Sequence, residues 1–228
     1  IKNIHGVLHK ALKQSVLIGY LRTNPSEACI LPRIIRKEMH PLEEDQVAVF
    51  LREVQGHPHE YLYKIALFTG LREGEVLGLG WEHIDFQTGT LTVKRQLRRE
   101  QKKGGGYYFS PPKNNKSRCL TLAPSVIQLF RLQKLEQNSM RMEAGDAWEE
   151  HGLIFTNQTG GYLSYRTVYD CFKRIVRNIG APATRFHDLR HTFAVASIKS
   201  GDDIKTVQEN LGHATAAFTL DVYGHVTK

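Results

Sequence analysis

The chain has 228 residues and a formal net charge of +8, because 31 Lys and Arg outnumber 23 Asp and Glu. With 41% hydrophobic and 24% charged residues it has a globular composition, which excludes a disordered, collagenous or low-complexity chain. No apolar run approaches the roughly 20 residues of a membrane span, so we expect no membrane partner. Three scattered cysteines exclude a disulfide framework and a zinc finger and suit a reducing cytoplasm. The positive charge favours a polyanionic partner, first of all nucleic acid, without deciding it.

The N-terminal residues predict the end of a domain that begins before Ile1. Apolar side chains between Ile4 and Val16 recur three and four residues apart, which predicts an amphipathic helix over 3–18. A single helix cannot bury its own apolar stripe, and the chain has neither an initiator Met nor a signal peptide. We therefore expect a fragment in which residues 1–29 close a domain that is otherwise missing. The alternative is an N-terminal arm packed on the main domain.

Residues 30–40 predict a linker, because they hold one proline and four basic residues and follow no clear period. The helices predicted after it start near residue 43, cover 60–69 and 73–79, start at Pro124 and Ser164, and cover 187–200, 203–210 and 216–223. Short strands are predicted at 84–86, 90–93 and 119–122, with a long basic loop, 94–118, between the last two. The expected fold is α+β and mainly helical, with a small three-stranded antiparallel sheet.

The segment His187-Asp188-Leu189-Arg190-His191 places two imidazoles and a guanidinium on one helix face, because residues three and four apart are neighbours. Such a face suits an anion site, in which Arg190 grips an oxyanion and a histidine exchanges protons. It also suits a metal pair, because His187 and His191 have the spacing of the zinc motif H-E-x-x-H. An ordinary capped helix start is the third interpretation, and five residues do not choose among them.

Three further motifs stand at ordered positions along the chain. T-G-L-R-E-G-E-V surrounds Arg72, P-K-N-N-K-S-R precedes the third strand, and L-G-H-A-T-A-A-F-T-L-D-V-Y-G-H covers 211–225. With H-D-L-R-H-T-F-A at 187–194, they resemble the catalytic domain of tyrosine recombinases, the integrases of phages and conjugative elements. Each motif is weak alone, but four in order are specific. The resemblance implies the last helix of a truncated core-binding domain at 1–29, a linker at 30–40 and a catalytic domain at 41–228.

The resemblance implies that Tyr223 attacks a DNA phosphodiester and forms a 3′-phosphotyrosyl link. A phenol has a pKa near ~10 and needs a base, for which His187 is the expected residue. Arg72 and Arg190 are expected to clamp the non-bridging oxygens with planar guanidiniums, a geometry that Lys does not reproduce. His213 would donate a further hydrogen bond to the phosphate.

The same resemblance assigns the proton for the leaving 5′-oxygen to a lysine of the β-hairpin. Lys113 stands at the matching place, and Lys116 is close enough to leave both residues open. Glu75 and His191 are expected to support the site, Glu75 by orienting Arg72. Neither a metal nor a nucleotide cofactor is implied, because the tyrosyl ester keeps the energy of the phosphodiester and catalysis rests on positioning and charge.

The expected partner is double-stranded DNA that carries a recombination site, in a bacterial cytoplasm. The family works as a homotetramer on two paired sites, and an accessory directionality factor is a further candidate partner. The function implied is the integration or excision of a mobile element. The cations expected to contact DNA lie in the linker and the basic loop and are Arg33, Arg36, Lys37, Arg95, Arg98, Arg99, Lys102, Lys103, Lys116 and Arg118.

Three other functions stay open at this point. A type IB topoisomerase shares the tyrosine chemistry and would relax supercoiled DNA. A zinc-dependent hydrolase would use His187 and His191, with His213 as a third ligand, but it leaves Arg72 and Tyr223 without a role. A regulator that binds DNA without cutting it would use residues 202–223 as a helix-turn-helix and would need none of the spaced cations.

Overall fold

A computed structural model describes residues 1–33, 39–100, 102, 104–113, 115–212 and 215–223, with only the backbone at Ala216, Phe218 and Asp221. The chain divides into two compact units, residues 1–38 and 39–228. Their boundary falls inside the predicted linker, whose Arg36 and Lys37 lie outside the described residues. Within the described ranges, no helix is both long enough and apolar enough to cross a membrane.

The helices and strands follow the predicted order, and most ends differ from the predicted ones by one or two residues. The α-helices are α1 (Lys2–Leu17), α2 (Glu44–Glu53), α3 (Glu60–Thr69), α4 (Glu73–Leu77), α5 (Pro124–Ala144), α6 (Tyr165–Asn178), α7 (Asp188–Lys199), α8 (Ile204–Leu211) and α9 (Ala216–Tyr223). The strands are β1 (Ile84–Asp85), β2 (Thr90–Val93), β3 (Gln96–Arg99), β4 (Tyr107–Ser110) and β5 (Arg118–Thr121). Short 3-10 helices cover Pro25–Ala28, Trp81–His83 and Gly145–Ala147.

The first unit consists of α1 and the 3-10 helix that polar contacts hold against it. His5 Nε2 lies 3.1 Å from the Ser26 carbonyl oxygen, and His9 Nδ1 lies 2.9 Å from the Ser26 hydroxyl. The Asn24 amide donates to the His9 carbonyl at 3.2 Å, while its oxygen accepts from the Ser26 backbone N–H at 3.0 Å. Hydrogen bonds therefore fix the turn after α1, and the assignment of this unit to a core-binding domain stays a prediction.

The second unit carries two small antiparallel sheets. Strands β1, β2 and β5 form the predicted three-stranded sheet, in the order β1-β2-β5. Residues 94–118 are not the single loop that we predicted, because β3 and β4 pair within them as a second hairpin. Charged residues at Arg98 and Arg99 and three glycines at 104–106 hid the strand pattern in the sequence, since both are typical of solvated loops.

Aromatic stacking fixes the second hairpin to the rest of the unit. The ring centroids of Tyr107 and Tyr162 are 5.3 Å apart, and Phe109 meets the Tyr162 ring edge-on at 6.0 Å. The Arg95 guanidinium lies 4.1 Å from the Phe109 centroid. Tyr107 and Phe109 share one face of β4 because they are two residues apart, which leaves Tyr108 on the other face and 43% exposed.

Four aromatic side chains form the centre of the main core. The rings of Phe50, Tyr63, Phe172 and Phe186 are at most 3% exposed, and neighbouring centroids are 5.5 to 6.5 Å apart. The Tyr63 hydroxyl donates to the Val168 carbonyl at 2.8 Å, so its polar end is satisfied inside the core. This cluster ties α2, α3 and α6 to the segment before α7 and thereby sets where α3 ends relative to the start of α7.

A second, smaller apolar cluster joins α7, α8 and α9. It consists of Ala194, Ile198, Val207, Leu211 and Tyr223. Tyr223 is only 1% exposed, so its ring acts as a core side chain. The position of the predicted nucleophile therefore depends on the packing of these three helices.

Candidate active site

Arg72 stands immediately before α4, and Glu75 holds it there. Glu75 Oε2 accepts from the Arg72 backbone N–H at 2.9 Å, and Oε1 accepts from Arg72 Nη1 at 2.9 Å. A glutamate that reaches back from the third helical residue to the N-cap backbone is half of a capping box. Glu75 is fully buried, whereas the Arg72 side chain keeps 22% of its exposure. The guanidinium of Arg72 is therefore partly exposed at the helix start, and the buried Glu75 carboxylate fixes its position.

Arg118 binds the same carboxylate from β5. Its Nη1 and Nη2 donate to the two Glu75 oxygens at 3.0 and 2.7 Å, and its Nε donates to the Asn210 carbonyl at 2.9 Å. Burial raises the pKa of Glu75, but the hydrogen bonds and charges of Arg118 and Arg72 outweigh it and lower that pKa to about 2. This geometry gives Arg118 contacts inside the protein, and the DNA contact that we predicted for it stays a prediction.

Arg190 is buried between the ends of two helices. Its side chain is 2% exposed, Nη1 donates to the Gly70 carbonyl at 2.8 Å, and Nη2 donates to the Leu211 carbonyl at 2.5 Å. Burial first, and the charge of Arg72 next, lower the pKa of Arg190 to about 9, so it stays protonated at neutral pH. A guanidinium has five N–H donors, and two bonds to carbonyls leave others for an anion.

Gly70, whose carbonyl accepts from Arg190, is required by the backbone and by packing. It ends α3 with a φ of +62°, and a Cβ added there would lie 2.5 Å from Phe193 Cδ1. We expect Gly70→Ala to destabilise the protein by about 2–5 kcal/mol, through left-handed strain and overpacking. Gly180→Ala is the matched control, since Gly180 has a φ of +74° and open space around its Cβ position, and it isolates the strain of about 1–2 kcal/mol. Urea unfolding of both variants measures the difference, and equal losses would contradict the tight packing at Gly70.

Tyr223 and His191 form the contact that places the predicted nucleophile. Tyr223 Oη lies 2.5 Å from Nδ1 of His191, with ring centroids 5.7 Å apart. Burial raises the pKa of Tyr223 to about 12, and burial together with the charge of His187 lowers the pKa of His191 to about 4. At neutral pH a protonated phenol therefore faces an uncharged imidazole, and the tautomer of His191 sets which of the two donates.

His187, the residue predicted as the base, does not meet Tyr223 in the described structure. It is solvent-exposed at the N-cap of α7, and its ring centroid lies 5.1 Å from that of His191. Partial burial of the ring, followed by the charge of Arg190, lowers the pKa of His187. The sequence-based assignment chose the residue one helical turn before the one that touches the phenol.

The other predicted catalytic residues are the two candidate lysines and His213. Lys113 is exposed in the turn between β4 and β5, and Lys116 is exposed three residues later. Their places do not decide which of the two is the acid. His213 lies outside the described residues. Among the residues that the structure does describe, no three His, Cys, Asp or Glu side chains form a group suited to a metal ion.

Comparison with known proteins identifies the family. Residues 40–228 match the sequence model of the phage integrase family. The chain belongs to the phage integrase family. A protein named tyrosine recombinase XerC-like, from Caldanaerobacter subterraneus subsp. tengcongensis, is 29% identical over 242 residues, which cover 99% of this chain and 62% of that protein. The ICEBs1 integrase of Bacillus subtilis is 27% identical, and the alignment covers 99% of this chain and 61% of that protein.

Solved structures give the same fold. The Tn1549 transposon integrase in complex with transposon right end DNA has a TM-score of 0.82 at 24% identity, over 97% of this chain and 73% of that chain. XerH recombinase bound to a palindromic difH substrate has a TM-score of 0.60 at 24% identity, over 84% of this chain and 51% of that chain. The integrase-family chain spans about three-fifths of the length of the curated relatives it matches. The expected mainly helical fold with a small three-stranded antiparallel sheet is confirmed, and the two-stranded sheet of β3 and β4 is additional to it.

The cations predicted to contact DNA divide into three groups in this integrase-family chain. Arg95 is engaged internally, because its Nε donates to the Gly78 carbonyl at 2.9 Å and Nη2 lies 3.0 Å from Glu82. Lys103, like the two linker cations, lies outside the described residues. The solvent-exposed members are Arg33, Arg98, Arg99, Lys102 and Lys116.

Sequence reasoning did not find the two backbone carbonyls that accept hydrogen bonds from Arg190. The carbonyls of Gly70 and Leu211 lie in two of the recognised motifs, next to Arg72 and His213, so the motif positions were the available signal. It also missed Arg185, which makes three hydrogen bonds of 2.7 to 2.9 Å to the buried Asp188 carboxylate and fixes the start of α7.

Proposed function

We propose that the chain is the catalytic part of a site-specific DNA recombinase that integrates or excises a mobile element through a 3′-phosphotyrosyl intermediate. The observation that carries the proposal is the cluster of Arg72, Arg118 and Arg190 around the buried Glu75 carboxylate, near Tyr223. Because the bidentate ion pair of Arg118 balances the Glu75 carboxylate, Arg72 and Arg190 leave an excess of positive charge that a phosphodiester would neutralise. The names of the relatives, recombinases and integrases, support the same function.

In the proposed reaction the Tyr223 oxygen attacks the phosphorus, the bond from phosphorus to the 5′-oxygen breaks, and the phenolic proton passes to a base. Arg72, the most exposed member of the cluster, and the N–H groups of Arg190 that do not bind the Gly70 and Leu211 carbonyls would bind the non-bridging oxygens, whose charge grows in the transition state. The leaving 5′-oxygen takes a proton from a lysine. Attack of a second 5′-hydroxyl on the tyrosyl ester reverses these steps and joins the new strand.

We further propose a homotetramer on two paired double-stranded sites, in a bacterial cytoplasm, with a directionality factor as an accessory partner. The support is family membership, together with the complexes of the Tn1549 integrase with circular intermediate and transposon right end DNA. Relaxation of supercoiled plasmid without strand exchange would instead place the chain with the type IB topoisomerases.

A pool of random-sequence duplexes tests the proposed function, because the target sequence is not needed in advance. Each duplex carries a nick in one strand, so that the short 5′-hydroxyl oligonucleotide released by cleavage diffuses away and religation stops. We expect covalent protein–DNA adducts in EDTA on denaturing gels, and sequencing of the trapped DNA then gives the site. Adducts that persist in Tyr223→Phe, or no adduct at all with the unmodified protein, would overturn the proposal.

The lysine assignment makes a separate prediction. Lys113→Ala is expected to slow cleavage of the selected duplex by about 10²–10⁴-fold, the usual contribution of general acid catalysis. A duplex with a 5′-bridging phosphorothiolate should restore the rate, because a thiolate leaves without a proton. Lys116→Ala serves as the matched variant, and rescue of that variant in place of Lys113→Ala moves the acid by three residues.

The two arginines at opposite ends of the basic segment should differ in how they affect DNA binding. Arg98→Ala removes an exposed cation of β3, and we expect the slope of log affinity against log salt concentration to shrink by about 1. Arg118→Ala should leave that slope unchanged and instead lower the free energy of unfolding, since it exposes the Glu75 network. Filter binding at several salt concentrations separates them. A smaller slope in Arg118→Ala would show that Arg118 does contact a DNA phosphate.

A further inference from the structure

We propose that His191, and not His187, is the catalytic residue that takes the proton from Tyr223 during strand cleavage. The proposal rests on the proposed function, since it names the base for the same reaction. It goes beyond family membership, because it follows from a contact between two side chains that are 32 residues apart in the sequence.

The contact has the distance that a direct proton transfer needs. Tyr223 Oη lies 2.5 Å from Nδ1 of His191, and in the tautomer with the proton on Nε2, Nδ1 accepts from the hydroxyl that would attack. His191 keeps 14% of its side-chain exposure and Tyr223 keeps 1%, so bulk water has little access to this hydrogen bond. A proton leaving the phenol inside the apolar cluster therefore meets the imidazole first.

One group beside His191 would stabilise the imidazolium that forms, whereas the others oppose it in the free protein. Its Nε2 faces the buried Asp188 carboxylate at 4.0 Å, which is too long for a hydrogen bond but close enough for charge attraction. Burial of the ring first, and then the charges of His187, Arg190 and Arg185, lower the pKa of His191 and keep the imidazole neutral in the free protein. A phosphodiester bound at Arg190 would offset their effect, so we expect His191 to become more basic when the substrate binds.

His187 has a different position. It is the exposed member of the histidine pair, and its ring packs edge-on against His191, the residue that meets Tyr223. This placement suits a contact with the phosphate or with the DNA backbone. The two histidines would then divide the work, with His191 serving the nucleophile and His187 serving the substrate.

The step balances as follows. The O–H bond of Tyr223 breaks and an N–H bond forms at Nδ1, while the phenolic oxygen bonds to phosphorus and the 5′-oxygen leaves with a proton from a lysine. The pKa values of about 12 for Tyr223 and about 4 for His191 oppose full transfer before attack. The proton is therefore expected to move as the new oxygen–phosphorus bond forms and the phenol becomes more acidic.

The test replaces each histidine by asparagine and measures adduct formation on the selected duplex between pH 6 and 9. The amide oxygen of asparagine accepts a hydrogen bond near the place of Nδ1 but cannot take the proton at these pH values. We expect His191→Asn to bind DNA as the unmodified protein does and to cleave about 10²–10⁴-fold more slowly at pH 7. Its rate should rise about tenfold for each pH unit, since solvent must then remove the phenolic proton. The unmodified protein should show no such slope from this pair.

The outcomes are separable. Cleavage by His191→Asn within a few-fold of the unmodified protein, or a defect without the pH slope, would overturn the proposal and leave His191 a packing residue. The slope in His187→Asn alone would assign the base to His187. His191→Gln repeats the measurement should His191→Asn fail to bind DNA. Adduct formation by the unmodified protein, and its loss in Tyr223→Phe, are read first, so a failure of the proposed function is recognised separately.

Discussion

Replacing Arg190 by lysine is expected to slow covalent adduct formation by about 10²–10³-fold, the usual cost of removing one transition-state donor. The guanidinium spans the Gly70 and Leu211 carbonyls and still has N–H groups for the phosphate. A compact ammonium cannot reach both carbonyls and the phosphate together. The substitution should also lower the free energy of unfolding by about 1–3 kcal/mol, because one buried carbonyl is left without a donor.

Single-turnover adduct assays and urea unfolding measure the two effects of Arg190→Lys. Arg177→Lys is the matched control, because Arg177 is exposed near the end of α6 and makes no contact with the cluster in the described part of the chain. We expect the control to change neither quantity. An Arg190→Lys protein with full activity would show that the planar donor set is not needed, and the account of the anion site would fail.

The second large effect is expected at Glu75, whose carboxylate accepts four hydrogen bonds from Arg72 and Arg118 while fully buried. Glu75→Gln leaves two guanidiniums without their counter-ion, and we expect a loss of about 3–5 kcal/mol in stability. Cleavage should also slow, with a larger change in kcat than in KM, because Arg72 loses the group that fixes its guanidinium against the transition state.

Stability of the unmodified protein should also depend on pH through Glu75. Its pKa falls from 4.5 to about 2 on folding, so the carboxylate stabilises the folded state fully above about pH 4.5. That contribution, about 3 kcal/mol, is lost as the pH falls from about 4.5 to 2. Urea unfolding between pH 2 and 7 should show a shallower dependence in Glu75→Gln than in Glu143→Gln, an exposed control on α5. Identical profiles would place the titration elsewhere.

The sequence predicted the elements that follow from local pattern. The spacing of apolar residues predicted the helices, and the order of the motifs indicated that Arg72, Arg190 and Tyr223 belong to one site. In the structure Tyr223 contacts His191, the residue that follows Arg190 in α7. The glycine after α3 was visible in the sequence as a helix stop, and its second role, close packing on Phe193, was not.

The parts that could not be predicted depend on contacts between distant segments. Arg118 looked like one cation among many in a basic segment, and only the fold brings it to Glu75, 43 residues earlier. His187 and His191 have similar chemistry and adjacent turns, so sequence alone could not tell which one meets Tyr223. The hairpin of β3 and β4 was missed because its charged residues and glycines resemble a loop, and because the ring of Tyr162 that packs on β4 lies far along the chain.

The central claim is that Tyr223 becomes covalently joined to DNA, and peptide mapping of the trapped adduct tests it most directly. Trypsin releases residues 206–228 as one peptide, and Tyr223 is its single tyrosine. After nuclease digestion, mass spectrometry should find a nucleotide attached through its 3′-phosphate to Tyr223 of that peptide. A nucleotide on any other residue, or an adduct joined through a 5′-phosphate, would contradict the account.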